Sequence, residues 1–198
     1  ITLYLVSLFN DFNWWFVGGL FSSFLILFRY LILIIYSFYE RNYFNKASAI
    51  AHIGLGLLIL ATTFNASLSY EKVINIKPGE TYTAEAYEFT LINFDLINES
   101  NYDSVRAKFS VKDINSLNRV FFLYPEKRKY FIRGQITSES AIKITPTKDI
   151  YMTLGDQLDN GYWVVNIQYN YLIRLIWIAA AVMCLGALAT FTQSYSKK

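Results

Sequence analysis

The sequence predicts a membrane protein: about three transmembrane α-helices plus an all-β extracytoplasmic domain, a small sandwich or partly open barrel. Three observations lead there. Of the 198 residues, 54% are hydrophobic and 18% aromatic, and the mean hydropathy of +0.27 is too apolar for an ordinary soluble domain and too polar for a chain lying wholly in lipid. The apolar residues gather into three runs, about 14–36, 47–68 and 172–191, each long enough to cross a hydrocarbon core of roughly 30 Å as a helix. Between the second and third runs, residues 69–171 form a polar block with the two-residue alternation of half-buried strands.

The chain opens on Ile1 rather than Met, and its first nine residues, ITLYLVSLF, are apolar. This predicts the end of an earlier helix at 1–9 and a piece of a longer membrane protein. Trp14 to Tyr36, WWFVGGLFSSFLILFRYLILIIY, exceeds the length of a signal-peptide core, has no basic residues before it and no small-residue cleavage site after it; it is expected to stay in the membrane. Basic residues set the orientation. Arg41 and Lys46 occupy the short link ERNYFNK, and Lys197 and Lys198 end the tail at 192–198, whereas the segment before Trp14 carries only Asp11. Link and tail are thus expected inside and 69–171 outside, in the periplasm of a bacterium or the intermembrane space of a mitochondrion.

Within the outer block, Val105, Ala107, Phe109 and Val111 alternate with polar partners, as do Trp163, Val165, Ile167 and Tyr169. Further strands are expected at Lys72 to Ile76, Tyr87 to Phe94, Val120 to Tyr124, Tyr130 to Arg133 and Ile150 to Leu154. Turn signals separate them at Pro78-Gly79, Asn98 to Asn101, Asn115 to Asn118 and Asn160-Gly161. About seven short strands fit a sandwich or partly open barrel.

Several functions are excluded. The block holds 12 Lys/Arg against 13 Asp/Glu, so the excess charge sits on the membrane portions and nucleic-acid binding has no support. The single Cys184 lies in the third apolar run, where it reads as a small packing residue, without a disulfide or a cysteine-pair metal site. There is no phosphate-cradling glycine loop and no Ser/His/Asp set, and the block reads as a binding or scaffolding module.

The one histidine, His52, stands in SAIAHIGLGLLIL, about 8 Å along its helix from the inner end. Ser48, Gly56, Ile59 and Thr63 share its face at helical spacing. Three readings stand open: a neutral imidazole hydrogen-bonded between packed helices, an axial ligand to haem iron with Gly56 giving clearance to the porphyrin edge, and a proton or anion path shared with Arg29. Arg29, roughly 10 Å into the first helix and near the level of His52, is a candidate partner for a haem propionate, or else snorkels to the inner headgroups. Glu126, Lys127 and Arg128 of the Pro125-Glu-Lys-Arg run are either a solvated strand end or a docking edge for a partner. Trp163 reads as core.

The order AHIGLGLLILA, INIKPGETY, NYDSVRAKF, LYPEKRKY, TSESAI, KDIYMTLGD, YWVVNIQYN and LIRLIWIAAAVMCLGALA resembles the C-terminal part of CcmF, the membrane haem lyase subunit of c-type cytochrome maturation, over roughly Ala47 to Ala189. The resemblance implies attachment of haem to the CxxCH thiols of apocytochrome c outside the membrane. It implies as partners a haem chaperone, a subunit that delivers the apocytochrome, and the remainder of the lyase as an N-terminal part or separate subunit. It further implies a separate haem b in the bacterial or mitochondrial inner membrane with two axial histidines, one of which maps onto His52. The family's Trp-rich outer loop, its flanking histidines and the second membrane ligand have no counterpart in a chain with one histidine, so a complete lyase is not expected. A haem-free membrane-anchored scaffold and, less readily, a transporter subunit are the competing expectations.

Overall fold

The computed structural model describes residues 14–40, 46–115, 119–132 and 134–195. The expected helix end at 1–9, Asp11, Arg41, Arg133, Lys197, Lys198 and most of the Asn115 to Asn118 turn lie outside the described residues. The chain divides into two compact units, residues 1–69 with 171–198, and residues 70–170.

The first unit contains three helices, α1 (Trp14–Glu40), α2 (Lys46–Leu68) and α3 (Ile173–Tyr195). All three are long and apolar enough to cross a membrane. The first runs four residues past the expected end, because Ser37 to Glu40 contains neither a glycine nor a proline to stop it. Small residues let α2 and α3 approach at backbone distance: a methyl group at Gly54 would stand 2.7 Å from the Met183 nitrogen, and one at Gly186 would collide with the Ala51 backbone. Toward α1, Phe16 and Leu20 are buried, with Phe64 edge-on to Phe16 at 5.5 Å. The C-terminal end of α2 and the N-terminal end of α3 are tied by polar contacts, Asn65 Nδ2 donating to the Tyr171 carbonyl at 2.8 Å and the Tyr171 amide to Ser69 Oγ at 3.0 Å. Leu172, at φ 54°, makes the turn into α3.

The second unit is a β-sandwich. The strands are β1 (Tyr70–Ile76), β2 (Thr81–Ala84), β3 (Tyr87–Asn98), β4 (Tyr102–Asp113), β5 (Arg119–Leu123), β6 (Glu126–Tyr130), β7 (Ile136–Glu139), β8 (Ala141–Ile144), β9 (Lys148–Gln157) and β10 (Trp163–Tyr171). One sheet has the order β1-β10-β9-β8 and the other β2-β3-β4-β6-β7, with β5 also on β4. The alternation read from sequence shows in the burial: Ala107, Phe109 and Val111 of β4, Val165, Ile167 and Tyr169 of β10 and Ile150, Met152 and Leu154 of β9 are without solvent contact, while Val105 of β4 is only half-buried. Trp163 is half-buried, its ring 4.7 Å from that of Phe94.

Three strands are additional to the sequence reading, β2, β7 and β8, each only four residues long. The strand expected at Tyr130 to Arg133 instead occupies Glu126–Tyr130, and residues 131–132 turn away. Two predicted turns carry glycines in the left-handed region, Gly79 at φ 87° and Gly161 at φ 81°. Glu80 N–H donates to the Lys77 carbonyl at 3.1 Å around the first.

Candidate functional site

His52 lies in the second turn of α2, half-buried and facing α1. Its Nδ1 stands 2.8 Å from the Ser48 carbonyl oxygen. A carbonyl only accepts, so Nδ1 carries a proton, and in the neutral imidazole Nε2 then holds the lone pair. This is the tautomer required of a metal-bound imidazole, whose other nitrogen donates to a carbonyl or carboxylate that fixes its plane. Tyr30 of α1 lies over the ring face, with centroids 4.4 Å apart and planes 20° from parallel. Face stacking leaves the in-plane lone pair clear. The tautomer and the stacking fit one axial ligand position of a haem, and His52 is the sole histidine of the sequence available for it.

Gly56 has a different use from the one expected. The space beside it is filled by α1, since a methyl group there would come within 2.8 Å of Leu27 Cγ and 3.2 Å of Ile26 Cγ2. It sets the closeness of two helices one turn above His52. Arg29 is exposed and adjacent to Tyr30 in α1, so its level is within about 1.5 Å of that ring, with its side chain about 100° around the helix. Cys184 is exposed in α3. Among the described residues no group of three or more His, Cys, Asp or Glu side chains could hold a metal ion.

The Pro125-Glu-Lys-Arg run is not a solvated strand end. Glu126 is 3% exposed. Its carboxylate accepts from Arg106 Nε at 2.8 Å and Nη2 at 2.7 Å, and from Arg128 Nε at 2.8 Å. Burial alone would raise its pKa, but the hydrogen bonds from Arg128 and Arg106 and the Arg106 charge outweigh it and pull the carboxyl down to about 2. Arg128 also lies 4.7 Å over the Tyr102 ring. Strand alternation sends Lys127 to the opposite face, where it pairs with Asp156 of β9. The three charges thus do separate structural jobs, two joining β4 to β6 and one joining the sheets. Nothing in the run betrays this, because Glu126 finds Arg106 only through the antiparallel register that sets the two side by side.

Comparison with known proteins bears on the whole chain. A family described as the CcmF C-terminal beta-sandwich matches residues 67–171. The cytochrome c-type biogenesis protein CcmF of Escherichia coli strain K12 is 32% identical over 149 residues, covering 75% of this chain and 23% of that protein. The CcmF of Pseudomonas aeruginosa is 28% identical over 202 residues, covering 96% of this chain and 30% of its own length. The chain thus spans between about a quarter and a third of such relatives. A solved structure titled cytochrome c heme lyase CcmF superposes with a TM-score of 0.77 at 15% identity, over 95% of this chain and 32% of that one, which speaks for the fold. Membrane-length helices before and after a β-sandwich that the family model matches across more than half of the sequence lead to one conclusion: the chain belongs to the CcmF family.

Proposed function

We propose that this chain is the C-terminal portion of a cytochrome c haem lyase, working with the remaining portion to attach haem to apocytochrome c, and that His52 is one of two axial ligands to a membrane haem b. The observation that carries the ligand reading is the Nδ1 to Ser48 carbonyl contact of 2.8 Å, which leaves Nε2 as a fixed donor inside an apolar bundle. A buried haem of this kind supplies one-electron chemistry, and the reading gives it the task of keeping the iron of the transferred haem reduced. The chain's own part is positional: Ser48 holds the proton on Nδ1, the α1–α2 contact at Gly56 excludes water above the ring, and exposed Arg29 would meet a propionate on a surface shared with the rest of the lyase. The inside link and outside β-sandwich follow from the charge bias of the loops, in a bacterial or mitochondrial inner membrane. Within that assembly the sandwich is the element available to the apocytochrome, its delivery subunit and the haem chaperone.

The test is spectroscopic. The chain is co-expressed with the upstream portion or partner subunit, the complex is purified in detergent, and oxidised and reduced spectra are recorded for wild type and His52→Gly, with and without added imidazole. A six-coordinate b-type spectrum that His52→Gly weakens and imidazole partly restores is the expected result. Equal haem in both variants, or none in a folded complex, returns His52 to packing and leaves the scaffold reading.

A further inference from the structure

We infer that Tyr30 is the positioning residue of the His52 site: its ring, stacked on the imidazole from the neighbouring helix, sets the rotational orientation of the axial ligand. The inference rests on the haem-ligand reading above. A single hydrogen bond from Nδ1 to Ser48 restrains the imidazole at one edge, and such a ring can still rock about that contact. The second restraint is a planar surface 4.4 Å away and 20° from parallel. Two restraints from different directions, one from the ligand's own helix and one from α1, leave the plane of the ring no free rotation. Groups that hold a ligand's plane govern its affinity and electronic coupling to the metal without touching the metal themselves.

The stack can be varied apart from the nearby helix packing. Tyr30 presents an aromatic face, which an aliphatic residue cannot reproduce, whereas the helix contact itself is made one turn away by Ile26 and Leu27 against Gly56. Ring and packing can therefore be varied separately. Tyr30→Phe keeps the face, Tyr30→Leu keeps the bulk without it, and Leu27→Ala loosens the helix contact while leaving the stack in place.

Each variant is purified as the co-expressed complex. The ferric electron paramagnetic resonance spectrum, whose g-anisotropy follows the orientation of the axial rings, is recorded with the rate of haem loss to excess apomyoglobin. The expected result is that Tyr30→Leu shifts the largest g-value and speeds haem loss by about tenfold or more, Tyr30→Phe matches wild type, and Leu27→Ala leaves the g-values in place. Unchanged g-values in Tyr30→Leu overturn the inference, and so does an equal shift in Leu27→Ala. Should Tyr30→Leu not assemble, Tyr30→Met stands in its place with the same two readouts. His52→Gly separates the levels: if it keeps a wild-type haem spectrum, the ligand reading fails and this inference with it, whereas loss of haem in His52→Gly beside a silent Tyr30→Leu defeats the positioning role alone.

Discussion

Glu126 shows how one side chain can carry the hinge between two strands. Its folded pKa of about 2 lies below its usual 4.5, so its contribution to stability is present in full above pH 4.5 and drains away as pH falls toward 2. The shift corresponds to on the order of 3 kcal/mol, and screening at the partly exposed guanidinium groups reduces it to about 2 kcal/mol. Glu126→Gln is expected to destabilise the sandwich by roughly that amount at pH 7 and by little at pH 2.5. Urea melts of the detergent-solubilised chain at the two values measure it. A variant as stable as wild type at pH 7 would show that the two arginines find other anions. His52 was legible at this scale because an imidazole in hydrocarbon has few uses. Tyr30 was not, since its meeting with His52 depends on the rotation of two helices about their axes. Glu126 was misleading: a charged run reads as solvated until its cross-strand partner is known.

Elements were legible where one periodicity ran long enough to be unmistakable. Strands β4 and β10 declared themselves by strict alternation, and the three helices by length, whereas β2, β7 and β8 have four residues each and give no pattern to count. Strand β6, EKRKY, hides because the position facing the other sheet is filled by Lys127, which pairs with Asp156 of β9. Helix packing is still less visible in sequence, since an apolar run looks alike whichever residue meets its neighbour. Gly186 is the sharpest case, as the atoms a side chain would strike belong to the Ala51 backbone and no rotamer change can clear them. Gly186→Leu must push α2 and α3 apart, with an expected cost of about 1–3 kcal/mol or more. Gly18→Ala, with nothing within 4 Å of the new methyl group, is expected to be neutral or to stabilise α1 by up to about 1 kcal/mol. Melting temperatures of the two variants in the same detergent measure the contrast, and a Gly186→Leu protein as stable as Gly18→Ala would refute the close α2–α3 approach.

At the scale of the whole chain, the division into a helical unit and a β-sandwich raises the question of whether the sandwich needs its anchors. Its first and last strands pair with each other from Tyr70↔Tyr169 to Ile76↔Trp163, so the two chain ends leave the domain side by side. Its core residues all come from its own stretch of chain: Phe89, Leu91, Phe109, Val111, Ile150, Met152, Leu154, Val165, Ile167 and Tyr169, all fully buried, belong to residues 70–170. Tyr169 also donates its phenol to the Ala84 carbonyl at 3.2 Å, satisfying the one polar atom placed deep among them. About 100 residues suffice for a domain of its own, though at that size the margin is small. Residues 69–171 expressed without the helices are therefore expected to give a β-type circular dichroism spectrum and a single cooperative thermal transition. The excised Glu126→Gln domain should melt several degrees lower, since about 2 kcal/mol in a domain of this size corresponds to a shift of roughly 8–16 °C. A spectrum without a cooperative transition would mean that the strand pair β1–β10 holds only when α2 and α3 clamp its two ends.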